Sequence, residues 1–153
     1  MADEFEIQFG GQATLSVDLK FNPNRLEANP TNPYEGLEIN LDYLPVPLIN
    51  SEFNGFSVNF HLSIGPPEAL VYLNLPWYAW FSVEGNLPED LVANDFTMIN
   101  APAIAYPFLR VFVQQLTLLS GVPPLLLPVV NFVEHGNNIR QQISDSQTAA
   151  ASD

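Results

Sequence analysis

Residues 101–132 constrain the fold more than any other part of the chain, because they carry a single charged side chain, Arg110. Such an apolar stretch must be removed from water. A membrane span is disfavoured, since the uncharged part, residues 117–133, contains one glycine and three prolines that would break the helix demanded by the bilayer interior. We therefore expect a buried helix followed by an extended, proline-rich segment.

Pro107 predicts where this helix begins, because its fixed φ suits a first turn and its missing N–H would be unpaired there anyway. We expect the helix to run to about Ser120 and to end at Gly121. Its apolar side chains sweep more than half of the circumference, an arc too wide for one buried face. The arc predicts two partners, a core on one side and another subunit or a bound chain on the other. The candidates for the subunit contact are Val111, Phe112, Leu116 and Leu119.

Charge and cysteine content exclude several classes of function. The 153-residue chain has no cysteine, which rules out disulfides, thiol catalysis and thiolate metal sites. Its formal net charge of −13 argues against nucleic acid and anionic membranes as partners, since both need Lys and Arg. The N-terminus has no signal-peptide pattern, so we expect a cytoplasmic protein. Length and pattern predict one domain over residues 1–143 and a disordered, acidic and polar tail over residues 144–153.

The N-terminal half of the chain alternates apolar and polar side chains with the period of β-strands. The first strand runs through residues 5–21, bends or bulges at Gly10-Gly11, and keeps its odd-numbered residues, Ala13 included, on the core face. Pro76 indicates an edge position or a bulge in the fourth strand, because proline cannot donate to a ladder. A turn-rich loop covers residues 22–33, and the other strands cover residues 37–43, 56–64 and 69–83.

Four amphipathic strands followed by helices predict an α+β domain, a four-stranded antiparallel meander with helices packed on one face. The other face of the sheet must then be solvated or paired. Residues 87–100 supply a short helix with Pro88, Glu89 and Asp90 in its first turn, where acids complement the helix dipole. Residues 131–143 form a last, weak helix.

No constellation of residues points to catalysis, a cofactor or a bound metal. The two histidines, His61 and His135, lack metal-ligand spacing with each other or with a carboxylate. A Ser63 nucleophile with His61 as its base lacks the directed contact that a triad needs, because residues two apart on a strand only point the same way. Gly10-Gly11 lacks the pattern of a phosphate loop. We therefore predict a binding protein without a cofactor rather than an enzyme.

Several aromatic residues alternate with the core-facing residues of their strands or lie at the start of a helix. The apolar surface they add exceeds what one face of a sheet can bury. Such surface either lines a subunit interface or forms a groove that accepts an extended apolar peptide. Both uses can coexist in one oligomer. The residues are Tyr34, Tyr72, Tyr78, Trp80, Tyr106 and Phe108.

Two blocks of the C-terminal half, and the spacing between them, resemble the SecB family of bacterial export chaperones. The first block is residues 101–110, APAIAYPFLR, and the second is residues 128–132, PVVNF. Residues 5–8, 37–42 and 81–85 resemble the family as well. The resemblance therefore covers nearly the whole chain in order.

The resemblance implies a SecB-like fold and a homotetramer, a dimer of dimers, that holds unfolded clients such as preproteins in apolar grooves without ATP. Phe108 falls at a groove aromatic of that family. A second groove position falls at Val71, which is not aromatic here, and the family's groove tryptophan falls near Pro33, with Tyr34 as the nearby substitute. The implied client-binding residues are Phe108, Tyr106, Val71, Tyr72, Tyr34 and Trp80.

For the export motor SecA, the resemblance implies docking on acids of the sheet face. Asp18 keeps an acid there, whereas Thr14 and Asn74 stand where acids are expected. Two alternatives therefore remain open. One is a SecB-like chaperone uncoupled from SecA that serves a dedicated client, and the other is a structural or adaptor oligomer without chaperone function.

Overall fold

The computed structural model describes residues 7–14, 16–22, 34, 36–50 and 52–152, apart from the side chain of Ile7. The expected loop over residues 23–33 and the strand positions 5 and 15 lie outside the described residues. As predicted, the described residues form an α+β domain with one antiparallel sheet. Its strands are β1 (Ile7–Ala13), β2 (Asp18–Phe21), β3 (Ile39–Ile49), β4 (Asn54–Ile64) and β5 (Val71–Val83). Its helices are α1 (Ala101–Leu119), preceded by a π-helical turn over Phe96–Asn100, and α2 (Phe132–Ala151).

The sheet has β5 at its centre. β3, β4 and β5 follow one another as antiparallel neighbours, while β1 and β2 both pair with the other edge of β5. β1 lies beside residues 78–83 and β2 beside residues 71–74, so the two are pieces of the long first strand expected from the alternation. That first strand borders the last one instead of β3, and the order departs from a simple meander. Pairing on both edges satisfies the backbone groups of β5, which is the longest and most buried strand.

Pro76 lies beside the break between β1 and β2. Because β5 is central, the edge position expected for Pro76 is wrong. β2 pairs as far as Asn74 and β1 begins again at Tyr78, so neither strand needs a donor from Pro76. The hydroxyl of Thr14 donates to the Pro76 carbonyl at 2.5 Å. The proline thus coincides with an interruption of the ladder.

The core face of the sheet is defined by the odd-numbered residues of β5, all of which are buried. Residues paired across antiparallel strands share a face, so Phe9 and Leu19 point into this core with their partners. Ala13 does not, because it pairs with Tyr78 on the other face. The expected constant parity is wrong at Ala13, since the register shift between Phe9 and Gly11 reverses the alternation.

α1 begins at Ala101, so the expected start at Pro107 is wrong. Pro107 lies inside the helix, where its missing N–H leaves the carbonyl of Ala103 without a helical donor. Both residues are exposed, so solvent can satisfy that carbonyl and the helix continues. The helix ends where predicted, with Gly121 at a φ of 81° just beyond it.

The helix expected over residues 87–100 is helical only from Phe96. The Asp90 carboxylate accepts the backbone N–H groups two and three residues ahead at 3.0 and 3.1 Å, which forms a turn instead of a first helical turn. The Asn94 side chain accepts in the same way from Phe96 and Thr97 at 3.0 and 3.1 Å. Asn94 therefore starts the helical segment by satisfying its first donors.

α2 begins where predicted, since the Asn131 side chain accepts from the N–H groups of residues 133 and 134. Phe132, Gly136 and Ile139 pack its first half against the core. The expected end at residue 143 is wrong, because the helix continues to Ala151. None of residues 144–151 is buried. Ser146, Gln147 and Ala150 line a cavity together with side chains of β3 and β4. Disorder of this tail in solution stays a prediction.

Of the described residues, one helical stretch over residues 96–119 is long and apolar enough to cross a membrane, with a mean hydropathy of 1.3. A helix that belongs to a protein core has the same composition, and 44% of an 18-residue window within this stretch is buried inside the chain. The uncharged residues 117–133 are not one helix, because α1 ends at Leu119 and α2 begins at Phe132.

Candidate functional site

α1 carries two apolar stripes, as its wide apolar arc predicts. One stripe packs on the core face of the sheet and comprises Ala101, Ala105, Leu109, Val113 and Thr117. The other, here called the free stripe, comprises Ile104, Phe108, Val111, Leu118 and Leu119. Side chains of the free stripe are 43% to 82% exposed in the single chain. The exposed Gln115 lies between Val111 and Leu118 on this side of the helix, so the stripe is apolar at both ends with one polar side chain between them. Exposed apolar side chains of this kind offer surface to a partner.

The four residues expected at a subunit contact fall in two places. Val111 and Leu119 belong to the free stripe. Phe112 and Leu116 are half-buried and pack against the core. A subunit contact through these residues stays a prediction.

Phe108 ends a row of four aromatic rings that runs from the core to the surface. Its ring stacks on that of Phe9, with centroids 4.7 Å apart. Phe9 meets Phe81 edge-on at 5.6 Å, and Phe81 stacks on the fully buried Phe56 at 5.1 Å. The row holds Phe108 on a rigid support while 43% of it remains exposed. Sequence reasoning missed Phe9 at this site, because strand alternation assigned it only to the core.

Residues 122–131, here called the strap, join α1 to α2 without regular secondary structure. Proline has no backbone N–H, so a proline-rich segment offers few donors to its own carbonyls. These carbonyls need hydrogen-bond donors from other parts of the chain. Three residues of α1 hold the strap through hydrogen bonds. The bonds join Tyr106 Oη to Pro128 O (2.5 Å), Arg110 Nε to Leu127 O (3.0 Å) and Leu125 N to Thr117 Oγ1 (2.9 Å). Tyr106, Arg110 and Thr117 of α1 therefore position the strap, a role that helical spacing alone does not reveal.

Tyr34 and Tyr106, two of the expected client contacts, take part in this anchoring. The hydroxyl of Tyr34 donates to the Pro123 carbonyl at 2.5 Å. Burial raises the pKa of Tyr34, against a smaller lowering by a hydrogen bond with Thr117, and burial likewise raises the pKa of Tyr106 against the charge of Arg110. Both hydroxyls therefore stay protonated and able to donate. Tyr106 is 5% exposed, so in the single chain it presents almost no surface.

The outer face, defined as the sheet face opposite the helices, carries the even-numbered residues of β5. Trp80 and Tyr72 lie on it and are half-buried, whereas Phe108 lies on the helix side. The expected client-binding residues are thus divided between the two sides of the sheet. Val71 belongs to neither surface, because it is on the core face and 1% exposed. The Lys20 ammonium lies 5.4 Å from the centre of the Tyr72 ring.

The three positions considered for SecA docking lie close together. Asp18 pairs in register with Asn74, and its carboxylate is 3.5 Å from the ammonium of Lys20. The amide oxygen of Asn74 contacts Nε2 of His61 at 2.5 Å, and Thr14 bonds to backbone carbonyls. Among these positions only Asp18 offers negative charge, and Lys20 partly neutralises it.

Within the residues that the structure describes, no group of three or more His, Asp or Glu side chains could hold a metal ion. His61 is exposed and contacts an amide oxygen. His135 donates from Nε2 to the Leu41 carbonyl at 2.5 Å, which occupies part of the open edge of β3. The contacts of these two histidines are therefore those of structural side chains.

These features define a protein that acts through apolar binding surface on an α+β scaffold. They are the free stripe of α1, the aromatic row that reaches the surface at Phe108, and the strap held on α1 by hydrogen bonds. The chain belongs to the SecB family, because the family model described as preprotein translocase subunit SecB matches residues 12–142. This membership confirms the family resemblance of the two C-terminal blocks.

Two relatives give the scale of the similarity. A protein-export protein SecB of Mesorhizobium japonicum is 28% identical over 152 residues, which cover 92% of this chain and 86% of the relative. Its counterpart in Paramagnetospirillum magneticum is 36% identical over 84 residues, which cover 53% of this chain and 52% of the relative. With this second relative the similarity is therefore confined to about half of each chain.

The fold is also that of a solved SecB-like structure. The SecB-like chaperone of Mycobacterium tuberculosis, in complex with a ChAD peptide from the HigA1 antitoxin, matches with a TM-score of 0.55. The match covers 81% of this chain and 90% of that chain at 21% identity. The predicted SecB-like α+β fold is thereby confirmed.

Proposed function

We propose that this chain is an ATP-independent chaperone of the cytoplasm that holds unfolded clients against apolar surface and passes preproteins to export through SecA. It acts by binding and is not an enzyme. The working form is a homotetramer built as a dimer of dimers. The free stripe of α1 is the observation that carries this proposal, together with membership of the SecB family.

The length of the free stripe supports two uses of the same helix. From Ile104 to Leu119 it extends about 22 Å at the rise of an α-helix. Its N-terminal part contains Phe108 beside the aromatic row, and its C-terminal part contains Leu118 and Leu119, the latter 82% exposed. We assign the Phe108 end to clients and the Leu119 end to a neighbouring subunit.

The test measures suppression of aggregation of a chemically denatured client at a stoichiometric ratio. Phe108→Ala is expected to weaken suppression, because it removes the exposed ring and its stack on Phe9. Ile49→Ala is the matched control, since Ile49 is 66% exposed at the far end of β3. Full suppression by the Phe108 variant, or none by the wild-type chain, would contradict the proposal.

Uncoupling from SecA is the second candidate function, favoured by the outer face. Of the positions expected to be acidic, only Asp18 keeps a carboxylate, and Lys20 lies 3.5 Å away. A pull-down with the C-terminal segment of SecA separates the candidates. Capture of unfolded polypeptide without capture of that segment would favour a chaperone for a dedicated client.

A structural or adaptor oligomer is distinguished by light scattering combined with dye binding. A chaperone of this design exposes apolar surface even as an oligomer, so an apolar dye should bind and an unfolded client should displace it. An oligomer of fixed size that binds neither dye nor client would instead indicate that the free stripe only seals an interface.

A further inference from the structure

Two prolines lie in α1, and each removes a donor from the ladder of helical hydrogen bonds. In an α-helix the N–H of each residue donates to the carbonyl four residues earlier, and proline has no N–H. Pro102 therefore offers no donor to Met98 in the preceding π-helical turn, and Pro107 offers none to Ala103. Both carbonyls need another partner, because an acceptor that is removed from water without a donor costs free energy.

The first of these carbonyls is buried and has a donor from the sheet. The hydroxyl of Tyr43 in β3 donates to the Met98 carbonyl at 2.9 Å. Tyr43 is 2% exposed and Met98 is 0% exposed, so the bond lies inside the core. The protein thus shows that a carbonyl next to a helix proline can accept a donor from outside the helix.

The second carbonyl, that of Ala103, belongs to an exposed apolar part of α1. Ala103 and Pro107 are both exposed, as are Ile104 and Phe108, which follow them directly along the chain. Residues four apart are neighbours on a helix surface, so these four side chains lie together and are here called the Pro107 patch. The stack of Phe108 on Phe9 at 4.7 Å makes one side of the patch rigid. The patch therefore combines apolar surface with one backbone acceptor.

Purely apolar surface is a poor occupant of the Pro107 patch. It would exclude water from the Ala103 carbonyl and leave that acceptor without a partner, which costs more than one hydrogen bond normally contributes. A suitable occupant must bring a donor beside its apolar side chains. An extended polypeptide does so, because its backbone has an N–H at every residue except proline.

We propose that the Ala103 carbonyl accepts a backbone N–H from an extended client segment that covers Ile104 and Phe108. Pro107 is then a specificity-determining residue, because it keeps this acceptor out of the helical ladder. The inference rests on the proposed chaperone function and assigns the kind of chain that the Phe108 end of the free stripe recognises.

The free carbonyl favours non-native chains over folded proteins. In a native helix or sheet the backbone N–H groups are already paired, so a folded protein that exposes apolar side chains brings no free backbone donor with them. A second copy of α1 is disfavoured for the same reason, since the N–H groups inside a helix are bonded within it. Recognition through the backbone also tolerates any client sequence that supplies apolar side chains without proline at the bonded residue.

The experiment measures the affinity of labelled peptides for the full chain by fluorescence anisotropy. The parent peptide is apolar and extended, with a single Phe that fixes its register. Each derivative carries one backbone N-methyl group, at successive residues, which removes one N–H and leaves every side chain in place. Methylation at the bonded residue should weaken binding about fivefold, the scale of the net contribution of one hydrogen bond.

Pro107→Ala completes the comparison, because alanine supplies the missing helical N–H to Ala103 and is favourable inside a helix. In this variant the position-specific, fivefold cost of N-methylation should disappear, and the parent peptide itself should bind about fivefold more weakly. The matched control is Pro67→Ala, which changes another exposed proline in the turn between β4 and β5 and should keep the wild-type pattern. A double-mutant cycle over peptide and protein isolates the bond.

Carbonyl NMR gives a second readout that needs no variant. With ¹³C at the alanine carbonyls, the parent peptide should shift the signal of Ala103 and leave that of Ala105, which is 0% exposed in the interior of α1. Equal costs of N-methylation in the wild-type chain and in Pro107→Ala would overturn the inference and leave the proposed function standing. Failure of the parent peptide to bind the wild-type chain would overturn both. An Ala103 signal that responds to dilution and not to peptide would assign the carbonyl to a second copy and overturn the inference.

Discussion

Replacing Thr117 by valine tests how the strap is held on α1. Thr117 is 1% exposed, and its hydroxyl accepts the backbone N–H of the buried Leu125 at 2.9 Å. Valine has nearly the same shape but no acceptor, so this N–H is left buried without a partner. The expected loss is about 2 kcal/mol of unfolding free energy, which lowers Tm by about 5 °C in a chain of this size. The bonds of the hydroxyl to carbonyls of its own helix contribute little, whereas its hydrogen bond with Tyr34 is lost together with the bond to Leu125.

Thr117→Ser is the matched control, because it keeps the hydroxyl and removes only a methyl group. Its expected cost is about 1 kcal/mol from lost apolar burial. Native-state hydrogen exchange separates the two variants better than Tm does. The Leu125 amide should lose protection in Thr117→Val and keep it in Thr117→Ser. Unchanged protection in the valine variant would refute the idea that this bond pins the strap.

Two further predictions concern the contact between α2 and β3. Gly136→Ala should destabilise the fold by about 1 kcal/mol in urea unfolding, because the crowding outweighs the gain of about 1 kcal/mol in helix propensity. The new Cβ lies 3.1 Å from the hydroxyl of Tyr43, which a 2.9 Å bond to the Met98 carbonyl holds in place. Burial raises the pKa of Tyr43 from 10.0 to about 12 against the charge of Arg140, so the unfolded chain ionises first and stability falls as pH rises from 10 to 12. Tyr43→Phe should remove up to about 3 kcal/mol of the unfolding free energy that is lost between pH 10 and 12. Parallel profiles of unfolding free energy against pH for the variant and the wild type would contradict this prediction.

The expected cost of Gly136→Ala is smaller in one background. In Tyr43→Phe the hydroxyl is absent, and only the contacts of the new Cβ with Ile99 Cγ1 and the Met98 carbonyl, both at 3.3 Å, remain. A double-mutant cycle measures this coupling directly. Stabilisation by Gly136→Ala in the wild-type chain would show that Tyr43 is free to move.

Several features of the fold follow from local pattern and are confirmed. The alternation in β3, β4 and β5 requires only nearest neighbours along the chain, so it identifies the core face before any pairing is known. The wide apolar arc of α1 likewise predicts a second stripe that the sheet does not cover. The Asn131 cap and the glycine stop at Gly121 are short-range chemistry and lie where expected.

Other features depend on contacts between distant residues. The bulge predicted at Gly10-Gly11 is confirmed, but sequence spacing does not encode that it turns Ala13 to the outer face. Nor does spacing encode that β1 borders β5 or that Pro107 lies inside a helix. Each depends on long-range pairing or on exposure, which local propensity does not contain. The extension of α2 past residue 143 was missed because no apolar pattern marks it.

The sequence by itself determined an α+β chain with more apolar surface than one core can bury and no catalytic chemistry, because composition and period are properties of the chain alone. Only the tertiary structure decided which of that surface lies together. It placed Phe108 at the end of an aromatic row on the helix side and Trp80 on the outer face of the sheet. The physical reason is that strand pairing, not sequence distance, sets the side of the sheet to which each ring points.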